Sequence, residues 1–357
     1  MKLRKPFYDP AKTYEENFHE GPFAEMADGE VFEQIGEPTY NFHGNNIYLP
    51  FGIAAGPLVN GRYVKAALDK GFDLPIYKTV RTKPYPCNPW PNVVPVQVNG
   101  NLTIEQSRAG LVIKDTYTSP LAITNSFGVP SFDPDFWQKD MAEAVRYAKK
   151  GQVVIGSFQG TTNPEGDTQK YIQDFATAAR LVKETGAKVL EVNLSCPNEG
   201  TAHLLCFDIE RTRQVVEAIK NEIGDTPLMI KTAYYETDEQ LEKLLEAVGK
   251  SVQGIASINT IPSRIIDKDG NQALPGKGRE ISGVCGEPIR WAGLDMVKRL
   301  KKFREEKGYE FKIEGVGGVT SVEDYKSYRE AGADSVMSVT GVMWNSLLAQ
   351  EIKEALA

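Results

Sequence analysis

At 193–198 the chain reads NLSCPN, a thiol set between a serine and a proline with an asparagine on either side. The segment follows an apolar, strand-like run, which puts Cys196 on a loop. A thiol there can act on a carbon acid. Free cysteine titrates near about 8.5, and cationic neighbours or amide donors lower that value. Proton abstraction is most effective when the base's pKa lies close to the working pH, which favours cysteine over serine. Rival chemistries are poorly supplied. The three histidines (19, 43 and 203) form no HExxH pair, and the four cysteines (87, 196, 206 and 285) have no zinc spacing. No metal site is expected, and Ser195 has no His/Asp pair to activate it. Lys78 and Lys231 end strand-like runs, where they can neutralise negative charge beside a ring. Asn193, Asn198 and Asn259 can read carbonyl and N–H edges as donors and acceptors. Lys231 could instead form a Schiff base, as in barrel lyases, but that leaves NLSCPN and the amides unexplained. Cys206 reads as core; Cys87 and Cys285 read as structural thiols.

These groups need a frame to bring them together. Short β-branched runs at 49–55, 75–80, 153–158, 188–194, 227–232, 254–259, 311–316 and 335–340 alternate with amphipathic stretches of helical length. Strand–helix alternation implies a parallel sheet, and eight units close a (β/α)8 TIM barrel. A doubly wound sheet would want GxGxxG after its first strand, and none is present. Residues 1–46 stand outside the repeat as an N-terminal extension to a barrel domain at 47–357. Residues 81–130 form a long insertion after strand two, expected over the active-site face. Segment 262–283 reads as a long loop after strand six. In this fold the strands' C-terminal ends face the active site. Those ends carry Ala55-Gly56, Lys78-Thr79, Asn193 with Cys196 and Asn198, Lys231, Asn259-Thr260, GVGGV at 315–319, and Thr340. Glycine-rich turns after strands seven and eight suit a phosphate, which marks Gly317 and Gly318.

The totals exclude other classes. The 357 residues carry a net charge of −7, so no clustered basic face for nucleic acid is expected. The N-terminus has basic residues without an apolar core behind them, unlike a secretory signal. No run approaches the ~20 apolar residues of a membrane span. A cytoplasmic location with reduced thiols is the expectation.

With NLSCPN, INT (258–260), GVGG and the strand-two lysine in place, the chain resembles the dihydroorotate dehydrogenase family, class 1, from about Pro50 onward. AAG (54–56), KT (78–79), NSFGVP (125–130), IKT (230–232) and ISG (281–283) follow in the family's order. The resemblance implies FMN in the barrel mouth, contacted by Ala55, Gly56, Lys78, Thr79, Asn193, Lys231 and Gly283. Gly317, Gly318 and Thr340 would take its phosphate. It implies that Lys78, Asn125, Asn193, Asn198, Asn259 and Thr260 hold dihydroorotate or orotate. Cys196 would remove the C5 proton as hydride leaves C6 for the flavin. It also implies a homodimer, with an electron-transfer subunit possible. Four features depart from the pattern: Val339 replaces a glycine, Arg81 adds a cation after Lys78-Thr79, the insertion is longer, and residues 1–46 lack a counterpart. Arg81 and the insertion motivate the alternative of a related flavoenzyme acting on another dihydropyrimidine. In such pyrimidine-reducing relatives a catalytic cysteine lies further along the NLSCPN loop, which is the competing reading of Cys206. The acidic N-terminal segment speaks against a quinone acceptor and leaves fumarate or NAD through a partner open.

Overall fold

The computed structural model describes residues 3–163, 165–195 and 204–357. Eight parallel strands close a barrel in chain order. They are β1 (Phe51–Ile53), β2 (Leu74–Val80), β3 (Ile155–Phe158), β4 (Val189–Asn193), β5 (Leu228–Lys231), β6 (Gly254–Ser257), β7 (Lys312–Val316) and β8 (Ser335–Ser338). Each lies within or beside an expected run. Closure is made by β8 pairing with β1, Met337 opposite Gly52. Gly52 has to be glycine, since a Cβ there would fall 1.9 Å from the Leu74 carbonyl oxygen.

The outer helices form where apolar residues recur at three- and four-residue spacing. Helix Thr168–Glu184 buries Tyr171, Ile172, Phe175, Ala178, Ala179 and Val182 against the barrel. Burying each large apolar side chain of this kind contributes about 1.5–3 kcal/mol. Helix starts are set by side chains that satisfy free N–H groups. Asn60 accepts from the Arg62 and Tyr63 amides, and Thr237 with Gln240 forms a reciprocal capping box.

Two departures from the plain repeat shape the catalytic face. The insertion after β2 and the segment after β6 join in a five-stranded sheet. Its order is Val93–Pro95, Ala122–Asn125, Ile281–Gly286, Ile261–Ile266, Leu111–Val112. The expected long loop at 262–283 is thus largely a β-hairpin, with Ile261 opposite Val284. Its alternating burial, inward at Ile261, Ser263 and Ile265 and outward at Pro262 and Arg264, is the strand signal in IPSRII.

The N-terminal residues pack into the same core as the barrel. Phe7, Tyr8, Tyr14 and Phe18 are buried there, and the Tyr63 hydroxyl donates to the Asn17 carbonyl at 2.9 Å. A hairpin pairing Tyr40–Phe42 with Asn45–Ile47 buries Phe42 and Ile47 against β2, β3 and β4 residues such as Ile76, Ile155 and Val189. The boundary drawn at residue 46 falls inside that second strand. Among the described residues no helix is long and apolar enough to cross a membrane.

Candidate active site

The C-terminal ends of β1, β2 and β4 to β8 surround one cavity of about 1220 Å³ counted out to its mouth. Every described residue expected at the site borders it. Ala55 and Gly56 follow β1, Lys78 and Thr79 lie in β2, Asn193 and Lys231 end β4 and β5, and Asn259 and Thr260 follow β6. Gly317 and Gly318 follow β7, and Thr340 follows β8. Asn125 and Gly283 arrive from the added sheet, where they sit opposite each other in register. Cys196 and Asn198 lie outside the described residues.

The polar groups are tied in sequence. Asn193 donates to Gln159 at 2.8 Å, and its own side-chain oxygen accepts from the Ser195 amide at 3.2 Å. Asn259 donates to the Ser195 carbonyl at 3.0 Å, so two site amides grip the start of the NLSCPN segment. Beneath them, Thr79 meets Ser157 at 2.9 Å, and Ser157 donates to Glu191 at 3.0 Å. Burial pushes the Glu191 carboxyl up, while the Lys231 ammonium and the Ser157 hydroxyl draw it partly back. Lys231 thus enters the cavity above a buried acid.

Three residues escaped sequence reading. Gln159 directly follows strand three, an end left out of the list of strand termini. Glu191 is a glutamate between the apolar residues of VLEV within KVLEVNL, and its placement in a buried parallel strand was the available signal. Tyr8 borders the cavity from the N-terminal extension, far ahead of β1, where no periodicity announces it.

Arg81 is reassigned. It is almost wholly buried and does not border the cavity; its guanidinium donates to the carbonyls of Val129 (3.0 Å), Gly160 (2.8 Å) and Gly128 (3.3 Å). Gly128 and Val129 do line the cavity, and Val129 holds a φ of 53°, costly for a β-branched residue. Arg81 is therefore a clamp on the cavity wall and gives no reason to invoke another substrate. Cys206 is wholly buried, its thiol pushed up to about 11, chiefly by burial, and it lies in the core away from the cavity. Cys285 does border the cavity, 3.5 Å from the Asn125 amide, with burial raising its thiol. A thiol held protonated there is a contact surface and a poor base.

The residues present fit a planar heterocycle carrying a phosphate. Gly317 and Gly318 adopt φ values of 126° and 68°, the region that favours glycine. A Cβ on Gly318 would fall 2.8–2.9 Å from Arg290 and from the Gly286 carbonyl. A Cβ on Gly56 would meet nothing within 4 Å, so a ligand can approach that backbone closely. The site and fold define a barrel enzyme whose glycine cradle suits a phosphate-bearing ring and whose amides suit a small polar ligand.

The particular family follows from comparison. The profile of the family described as dihydroorotate dehydrogenase matches residues 112–357. A dihydroorotate dehydrogenase of Dictyostelium discoideum is 35% identical over 361 residues, covering 98% of this chain and 97% of that protein. The NAD-dependent dihydropyrimidine dehydrogenase subunit PreA of Escherichia coli K12 is 32% identical over 180 residues, 48% of this chain and 42% of that one. The crystal structure of the Eimeria tenella dihydroorotate dehydrogenase in complex with ferulenol superposes with a TM-score of 0.71 at 19% identity. It covers 93% of this chain and 87% of that one, a likeness of fold. The chain belongs to the dihydroorotate dehydrogenase family and is an oxidoreductase.

Proposed function

We propose that the protein oxidises dihydroorotate to orotate in pyrimidine biosynthesis, with FMN as its cofactor, in the cytoplasm. The observation that carries this is the convergence of Lys78, Asn125, Asn193, Asn259 and Thr260 with the Gly317-Gly318 turn on one cavity. Bound FMN supplies the two-electron acceptor for the hydride that leaves C6. Gly317, Gly318 and Thr340 hold the phosphate, and Ala55, Gly56, Thr79 and Gly283 leave the ring a close backbone surface. Lys231 places positive charge beside the ring. Lys78 and the asparagines orient the substrate's carboxylate and ring amides, and Asn198 completes that set. Cys196 takes the C5 proton at Sγ, leaving a C5–C6 double bond. Turnover of another dihydropyrimidine loses its main support now that Arg81 is bound to backbone carbonyls away from the cavity.

The test is the visible spectrum of purified protein before and after anaerobic addition of dihydroorotate. Yellow protein that bleaches is expected; protein that stays yellow overturns the substrate. Cys196→Ala should retain flavin and lose most oxidation near neutral pH, and undiminished turnover would remove Cys196 from its role.

A further inference from the structure

Tyr8 lies in the N-terminal extension, yet it borders the cavity together with Lys78, Asn125 and Phe127. Its position is fixed from both sides. The Phe7 amide donates to the Met343 carbonyl at 3.1 Å and the Arg4 amide to the Trp344 carbonyl at 3.0 Å. The Asp9 amide donates to the Asn17 side chain at 2.8 Å, and the Trp90 indole donates to the Pro10 carbonyl at 3.3 Å. The Tyr8 ring packs edge-on against Phe127, centroids 5.8 Å apart. The residue is 3% exposed, and its buried hydroxyl has no hydrogen-bond partner among the described residues.

A buried hydroxyl without a partner costs stability that a phenylalanine at the same place would not. The hydroxyl is also locked as a donor. Burial, and then the Cys87 thiol and the neighbouring Tyr14 and Tyr63 phenols, push its titration far above the ordinary range. The Tyr8 ring lies against Phe127 of the cavity wall. Phe127 is two residues from Asn125, and Cys87 is within electrostatic range of both Tyr8 and Lys78.

Resting on the function proposed above, we infer that Tyr8 is a substrate-binding residue whose hydroxyl donates a hydrogen bond to an oxygen of the bound pyrimidine carboxylic acid. The N-terminal extension thereby supplies part of the substrate pocket and is more than a cover for the barrel.

Flavin-loaded wild type and Tyr8→Phe are compared by spectral titration with orotate, alongside flavin content and KM for dihydroorotate. The variant should keep its flavin and hold or raise its thermal midpoint while orotate binding weakens about ten- to hundredfold, the span of one hydrogen bond to a charged acceptor. KM should rise in parallel. Equal orotate affinity in the two proteins overturns the assignment, and so does loss of flavin with orotate affinity unchanged in the flavin-retaining fraction. Should Tyr8→Phe fold poorly, Tyr8→Leu is titrated in its place against the same outcomes. Orotate that binds neither protein overturns the functional reading and this assignment together.

Discussion

Arg81 shows how a charge beside an active site can serve the backbone alone. Its planar fork reaches three carbonyls at once, and its face lies 4.1 Å over the Tyr85 ring. A lysine keeps the charge but cannot reproduce that fork. The strained Val129 depends on such restraint, because an αL conformation of a β-branched residue persists only where its surroundings over-determine it. Arg81→Lys is expected to lower stability by about 2–4 kcal/mol, from lost hydrogen bonds to a charged donor. It should also raise KM for dihydroorotate severalfold while flavin content holds. In a Val129→Gly background, where the turn is no longer strained, the same change should cost less; a double-mutant cycle by thermal or urea unfolding measures the difference. Additive effects would show that the clamp and the strain are unrelated.

At the scale of elements, the added sheet is what completes the cavity. Thr124 donates to the Gly283 carbonyl at 3.0 Å and Ser282 to the Asn125 carbonyl at 2.7 Å, fixing the register that sets Asn125 beside the barrel. Gly283 has no room for a side chain: a Cβ would lie 2.3 Å from the Thr260 hydroxyl and 2.8 Å from its Cβ. Gly283→Ala should therefore push Thr260 aside and cut kcat/KM for dihydroorotate by about tenfold or more, the usual reach of a misplaced binding group. Near-normal kcat/KM would mean that the sheet can slide without consequence. This element also marks the edge of what the sequence discloses. The eight barrel strands were legible because each is a short β-branched run bounded by turn residues and followed by a helical period. The residues at their ends were legible because the fold assigns those positions to the active site. The added sheet was not, since its strands are short and the two pairings that join the insertion to the segment after β6 span about 150–160 residues, a separation that local pattern does not encode. Tyr8 was hidden for the same reason.

The whole molecule is drawn together at Asp73, just before β2. Its carboxylate accepts from the Leu49 amide at 2.6 Å, from Gln34 of the N-terminal segment at 3.0 Å, and from Lys353 of the last helix at 2.9 Å. Burial raises this carboxyl from 3.8 to about 6, against the opposing pull of the Lys353 ammonium. Because the folded value is the higher one, the fold binds the proton more tightly than the unfolded chain does. Its contribution is thus fully present below about pH 4 and is lost as pH rises through about 6. A shift of this size is on the order of 3 kcal/mol. Asp73→Asn keeps an acceptor for Leu49 but has no proton to release. Thermal midpoints of wild type and variant, measured from pH 4 to pH 7, should therefore change relative to one another. Wild type should lose ground to Asp73→Asn across that window, whatever constant offset the loss of the Lys353 partner introduces. Parallel curves would mean that Asp73 titrates in the fold as it does in the open chain, and that the junction of N-terminal segment, barrel and final helix carries its charge at no cost.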